Sequence, residues 1–354
     1  MDVIPSRMPD TDGTMIGPAL LASASIFHGT PVPPEQAPWL VTLTTRSVVC
    51  GGALIAPDRV LTAAHCVQGA DPGRLSVRLA GERRAWEGAV FPTTYREIPS
   101  PVRPEDPGAS ATVDDIAVIR LKTPVRNVSP VPLADPPPVA GEPSLTLGHG
   151  RTGPLPAGPS RDALGAAQQV SDDCAAAYGP TLFHPARHLC TLDTTPTAAQ
   201  ACKGDSGGPV LVQRGGGWAL AGVVTWGGET YGLDCGEGMP DVSERVDAHR
   251  ALLSGDGPVA PWAERRVRVR RTGKVRRCVV GTWHPASATF KVSWWREGKP
   301  RTEQTPEGTA ILPGKRTYLK GGGRTRTLTS GRVGCSVTAR TAGGWATEDS
   351  YNQL

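Results

Sequence analysis

Apolar residues along this chain come in short runs or strict alternation, almost never at the three-to-four spacing of an amphipathic helix. Segments 39–44, 52–56, 75–79, 116–121, 145–148, 210–212 and 220–226 each read as a short strand bounded by turn residues. Strands at this density without helical patterns between them predict a barrel or sandwich. Asp135-Pro136-Pro137-Pro138 interrupts the series near its middle, where a connector between two sub-barrels would fall. Only 245–253 (RVDAHRALL) has helical spacing, with Val246, His249, Ala251 and Leu252 roughly on one side. A Gly/Pro linker follows over 254–262. Beyond it, 267–270, 278–282, 289–295 and 332–340 again read as strands, with no internal repeat.

Composition agrees with short strands and many turns: 43 Gly and 35 Pro accompany 38% hydrophobic residues. No window is apolar for long enough to predict a membrane-spanning helix. The 8 Cys are an even number without a C-x-x-C pair, which favours disulfides in an oxidising compartment over zinc or redox chemistry. Charge is uneven. Residues 263–354 hold 19 Lys/Arg against 6 Asp/Glu, a net +13, which leaves −8 for the rest of a +5 chain. At the start, 14–24 (TMIGPALLASA) is mildly apolar and ends in Ala22-Ser23-Ala24, like a signal-peptidase site. Asp2, Asp10 and Asp12 before it have the wrong sign for a signal, yet the cysteines favour export. Segment 1–25 is therefore read as a signal or pro segment and the protein as secreted.

Three islands carry recognisable chemistry: Leu61-Thr62-Ala63-Ala64-His65-Cys66, Asp115-Ile116-Ala117-Val118 and Gly204-Asp205-Ser206-Gly207-Gly208-Pro209. A serine hydroxyl is a poor nucleophile at neutral pH and needs a base within reach. Imidazole titrates near that pH, and a carboxylate fixes its tautomer and stabilises the imidazolium. In the order His…Asp…Ser, the islands resemble the trypsin/chymotrypsin-like serine protease family, of bacterial secreted type, over 26–253. That resemblance implies an all-β protein with two six-stranded barrels and a site in the cleft between them. It implies Ser206 as nucleophile, His65 as general base and then acid, and Asp115 as the group that orients His65. Asp114 is read as facing solvent. The N–H groups of Gly204 and Ser206 would form the oxyanion hole. By the same resemblance Cys50 pairs with Cys66, Cys174 with Cys190 and Cys202 with Cys235. Asp205 would be met by a new amino terminus at Ile26, although Phe27 and His28 depart from the family's usual Ile-Val-Gly-Gly and no Arg or Lys precedes Ile26. The competing reading is a catalytically silent binding protein on the same fold.

The pattern breaks at the specificity pocket, which would be formed by Gln200, Thr225, Trp226, Gly227 and Asp241. Gln200 stands where trypsin has an Asp, Thr225 where Ser is usual, and Asp241 where Gly is usual. Either Asp241 accepts Arg or Lys at P1, alone or among bulky side chains, or it hydrogen-bonds Gln200 and restricts P1 to small residues; the first is favoured. The Pro-rich insertion 94–112 reads as a loop on the cleft rim. His149 is read as structural. His184 and His188 lack a third ligand nearby, so neither metal nor cofactor is expected.

In 263–354, Val333, Cys335, Val337 and Ala339 alternate with more polar residues. Phe290, Val292 and Trp294 are expected to share a buried face, leaving Trp295 outward. The order Cys278…Trp294…Cys335 resembles an immunoglobulin-like sandwich, whose Trp packs on an inter-sheet disulfide. Arg266, Arg268 and Arg270, with Arg324 and Arg326, offer a docking face for an anionic cell-wall polymer or an acidic protein. Nucleic acid is not expected, because binding motifs and interleaved aromatics are missing. A monomer is expected.

Overall fold

In the computed structural model, the structure describes residues 26–45, 49–151, 160, 162–297, 301–305, 308–312, 316–319, 324–327 and 333–351. The segment 1–25 lies outside them. The first sheet runs Glu82–Arg84, Ser76–Leu79, Leu40–Thr44, Val49–Ala56, Arg59–Thr62, Ala117–Leu121, Trp86–Val90, all neighbours antiparallel, and curls into a half-barrel. Alternation places the side chains: in Leu40–Thr44, Val41 and Leu43 are buried while their neighbours are half-exposed. Leu54, Val60, Leu61 and Ile119 complete that interior.

The second sheet contains Leu164–Val170, Pro143–Gly148, Pro209–Arg214, Gly217–Trp226, Asp241–Arg245 and His188–Leu192 in that order. Pairing of Gln169 with Leu192 and of Val170 with Thr191 closes these six strands into a barrel. Thr30–Pro31 adds to one edge. Closure removes exposed strand edges. The all-β architecture implied by the resemblance is present, with one closed six-stranded barrel and, in place of a second closed one, a seven-stranded half-barrel.

Three local expectations fail. Arg245 ends a strand, and Asp247–Leu252 is a 3₁₀ turn rather than an α-helix. The 9-residue helical segment Cys174–Leu182 gave no periodic signal, because Gly179 (φ 68°) and Pro180 break it in the middle. In the carboxy-terminal region Trp295 is fully buried, whereas Phe290 is 42% exposed.

That carboxy-terminal region is also built of strands. Arg268–Thr272, Val275–Val279 and Thr325–Thr327 form one sheet, and Arg316–Leu319, Thr289–Glu297, Val333–Thr341 and Gly344–Tyr351 another. The disulfide Cys278–Cys335 joins the two sheets, with buried Trp294 directly opposite Cys335. The region docks on the first barrel: Phe91 N–H donates to Gly343 O (2.9 Å), Ala260 N–H donates to Ala89 O (2.7 Å), and Trp345 stacks on Tyr95.

Candidate active site

His65 lies in the short turn Ala64–Val67, directly after strand Arg59–Thr62. The disulfide Cys50–Cys66 ties this turn to the adjacent strand. Asp115 precedes strand Ala117–Leu121, which pairs with Arg59–Thr62, so sheet pairing brings the two residues together. Both oxygens of the fully buried Asp115 carboxylate are used on His65. Oδ1 accepts the His65 N–H (2.9 Å) and Oδ2 lies 2.7 Å from Nδ1. An ionised carboxylate only accepts, so Nδ1 carries the proton and Nε2 is left as the basic nitrogen. Burial works against the His65 imidazolium, but the adjacent Asp115 charge and hydrogen bond outweigh it and hold the pKa above 6.5. Burial likewise opposes ionisation of Asp115, and the contacts with His65 bring its pKa below the usual carboxylate value.

Ser206 comes from the second barrel, on the loop before strand Pro209–Arg214. Glycines shape that loop where side chains would not fit: Gly204 sits at φ 104° with Gly150 Cα 2.8 Å from where a Cβ would be, and Gly207 at φ 79° against Thr62 and Gly51. The loop is pinned across the barrels by Gly51 N–H to Ser206 O (2.7 Å) and within its own barrel by Gly207 N–H to Val224 O (2.7 Å). Among the described residues, the N–H groups of Gly204 and Ser206 have no acceptor. Both residues line, with His65, one cleft of about 750 Å³. Ser206 Oγ shares that cleft with His65 without a direct hydrogen bond between them, as is common before substrate is bound.

Asp205 is fully buried. Its carboxylate accepts N–H bonds from Gly150 (2.7 Å) and Cys202 (2.8 Å), yet burial still pushes its pKa up to about 7. Ile26 is fully buried against Leu164, Ala166 and Ala199. The disulfides Cys174–Cys190 and Cys202–Cys235 are formed as well, so all four expected pairs are present.

Gln200, Thr225, Trp226, Gly227 and Asp241 all line the cleft. Asp241 Oδ2 accepts from Gln168 Nε2 (2.8 Å) and Ala201 N–H (2.9 Å), while Oδ1 lies 3.5 Å from where a Gly227 Cβ would stand. Burial raises its pKa to about 7. Gln200 donates to Met239 O (2.7 Å) and accepts from Gly236 N–H (2.6 Å), bracing the pocket rim. The Thr225 hydroxyl donates to Val242 O (2.9 Å). The 94–112 insertion lines the cleft mouth and forms a hairpin, Arg96–Ile98 with Ala111–Val113, instead of an open loop.

Sequence reasoning missed two acids. Glu229 lines the same cleft; its Oε1 accepts the Gly227 N–H (3.1 Å), and burial raises its pKa. Glu244 lies fully buried behind Asp115. Asp114, expected to face solvent, is only 5% exposed. Its carboxylate lies 3.4 Å from the guanidinium of Arg187, an exposed side chain that reaches over it from the surface.

A serine and an imidazole oriented by a buried carboxylate, lining one cleft of an all-β protein, resemble the sites of serine proteases. Comparison with known proteins makes this specific: the model of the Trypsin family matches residues 26–252, and the chain belongs to that family. It is 32% identical over 253 residues to mouse serine protease 56, covering 68% of this chain and 40% of that protein. With human serine protease 56 it shares 35% over 66% of this chain and 38% of that one. The chain thus spans about two fifths of the length of these two relatives. Trypsin of the dogfish Squalus acanthias is 33% identical over 67% of this chain and 93% of its own. Among solved structures, mouse neuropsin, a serine protease expressed in the limbic system, superposes with TM-score 0.53 and 25% identity, covering 65% of this chain and 98% of neuropsin. These relatives are animal proteins and lend no support to a bacterial type.

Proposed function

We propose that this chain is a secreted serine endopeptidase. Ser206 Oγ attacks the scissile carbonyl while His65 Nε2 takes its proton. Asp115 stabilises the imidazolium, and the N–H groups of Gly204 and Ser206 receive the developing oxyanion. His65 then protonates the leaving amine, and water repeats the sequence on the acyl-enzyme. The observation that carries the proposal is the contact of buried Asp115 with half-buried His65 at 2.7 Å, on the cleft that Ser206 also lines.

Activation fits the same reading. An Ile at φ 57° is sterically strained, and cleavage before Ile26 removes the preceding carbonyl that causes the clash. The freed ammonium would supply the cation that buried Asp205 lacks. In the pocket, Asp241 Oδ1 faces the space a P1 side chain would enter, which favours Arg or Lys. Four disulfides suit an oxidising compartment, and no helix among the described residues is long and apolar enough to cross a membrane. Residues 263–354 are read as an immunoglobulin-like module on the strength of its inter-sheet disulfide and buried Trp294. Exposed Arg266, Arg268 and Arg270 make it a candidate dock for an anionic polymer or acidic protein.

The test is labelling by a serine-directed fluorophosphonate, with wild type labelled and Ser206→Ala not. Absence of labelling in correctly processed wild type would leave a silent binding protein as the better account.

A further inference from the structure

The reacting groups are divided between the barrels: His65 and Asp115 come from the first, Ser206 from the second. Something must hold Asp115 in register with the second barrel. Behind Asp115, on the side away from the cleft, lies a buried cluster of Asp114, His188, Glu244 and His249, with Arg187 at its edge.

Glu244 is the hub. It belongs to the second-barrel strand Asp241–Arg245 and is 0% exposed. Its Oε1 accepts the backbone N–H of Asp115 at 2.9 Å, across 129 positions of sequence. Its Oε2 stands 3.1 Å from His249 Nε2. His188 Nδ1 accepts the His184 N–H (3.0 Å), so the His188 proton sits on Nε2, which lies 3.5 Å from Glu244 Oε1. Asp114 adopts φ 58°, a left-handed conformation that costs an Asp energy. Its Oδ1 is within 3.4 Å of Arg187 Nε and 3.8 Å of His249 Nε2. The cluster therefore grips Asp115 from both sides of its nitrogen: it holds the strained residue before it and accepts its N–H.

Asp114, Glu244 and His249 also bring three potential ligand atoms within 4.8 Å of one another. The Asp115 N–H already occupies Glu244, and Arg187 lies within ion-pair distance of Asp114, whose Oδ1 makes no hydrogen bond among the described residues.

We infer that Glu244 is a positioning residue, a cross-barrel latch whose carboxylate fixes the backbone of Asp115 and, through it, the orientation of His65 toward Ser206. It touches no reacting atom. A charge-assisted N–H···O⁻ bond in a dry interior is strong and directional, and losing it strands a buried donor. Displacing Asp115 weakens the contact that keeps the His65 imidazolium stable. The inference rests on the proposed roles of His65, Asp115 and Ser206.

The test uses the full processed chain, a chromogenic peptide and four variants. Glu244→Met fills the space without an acceptor, Glu244→Gln keeps an oxygen for the Asp115 N–H, Glu244→Asp keeps the charge but withdraws it by one methylene, and Ser206→Ala controls the underlying reading. The Met variant is expected to lose about 10- to 100-fold in kcat with KM nearly unchanged, the range that a small misplacement of a catalytic group produces. The acid limb of its kcat/KM profile moves to lower pH. The Gln variant recovers most of the loss, which a merely packing role would not require. If the Met variant does not fold, the Asp variant is expected to show the same loss and the same limb shift. Wild-type kcat and an unmoved acid limb in the Met or Asp variant overturn the inference. So does a Gln variant as impaired as Met, or a stoichiometric divalent metal in the purified protein that chelation removes together with activity. Full activity in Ser206→Ala would instead refute the triad reading, independently of Glu244.

Discussion

Replacing Asp241 by Asn should abolish a preference for Arg and Lys at P1 while sparing uncharged P1 residues. The carboxylate is 4% exposed, and burial raises its pKa from the ordinary 3.8 to about 7. A P1 cation at roughly 4 Å would gain about 4 kcal/mol at an effective dielectric of about 20. Desolvation of both charges consumes part of this, so a net loss of about 2–3 kcal/mol, roughly 30- to 150-fold in kcat/KM, is expected for Asp241→Asn. The pH dependence gives a sharper signature. A raised carboxyl pKa means that the charge exists above about 7 and is lost below it, so basic-P1 preference must fall as pH falls. One pH unit below that pKa, about one tenth of Asp241 is ionised, against about nine tenths one unit above, a change of roughly tenfold. Protonation of His65 would mask this in a single profile. The assay is therefore the ratio of kcat/KM for paired peptides differing only in Arg or Leu at P1, measured from pH 5.5 to pH 8.5, which cancels His65. The ratio should climb through about pH 7 in wild type and stay flat in Asp241→Asn. A ratio that is flat in wild type, or basic-P1 cleavage unchanged in the variant, would refute the assignment.

Asp115→Asn should cost about 10⁴-fold in kcat with KM little changed, the scale known for the same change in Ser-His-Asp proteases, because an amide can hold the wrong His65 tautomer; steady-state kinetics reads it directly. A chain beginning at Ile26 should be active, and adding one Ala ahead of it should lower kcat/KM on the order of 100-fold at pH 8, where Asp205 is ionised without its ammonium. Active material whose sequenced amino terminus lies upstream of Ile26 would contradict this. Replacing Cys278 and Cys335 together by Ala removes a bridge spanning 57 residues and should destabilise the carboxy-terminal region by about 4 kcal/mol on the chain-entropy model, seen as a lower Tm with labelling of Ser206 retained.

The legible parts of this protein are those written locally. Alternation located the strands, because one face of each is buried, and turn residues marked their ends. The islands around His65, Asp115 and Ser206 are visible because each occupies a fixed short run: Gly204-Asp205 before Ser206 and Gly207 after it, a small residue before His65, an apolar strand after Asp115. Illegible were the groups whose environment is assembled from distant segments. Asp114 reads as facing solvent because the family's motif gives the functional role to the Asp directly before Ile116, and nothing near it in sequence announces Arg187 or His249. Glu229 gave no signal because its partner is a backbone N–H. Trp295 was assigned outward on strict alternation, yet a strand covered on both sides buries consecutive residues.

The pocket acid and the proposed latch lie on one strand. Asp241–Arg245 carries the pocket acid at one end and Glu244 near the other. Between them, Val242 O accepts the Thr225 hydroxyl and Ser243 is buried with no side-chain partner for its Oγ. The Thr225 hydroxyl, where Ser is usual, is thus committed to the neighbouring strand. On the proposed roles, the five residues would divide their labour, one end meeting P1 and the other holding Asp115. Since a strand moves as a unit, a substrate side chain that pulls on Asp241 also loads the Glu244 latch. On that reading, selectivity at P1 and alignment of His65 would be coupled through the backbone between them. A double-mutant cycle of Asp241→Asn with Glu244→Gln on the Arg-P1 peptide should be non-additive by about 0.5 kcal/mol or more, and strict additivity would show two independent sites that merely share a strand.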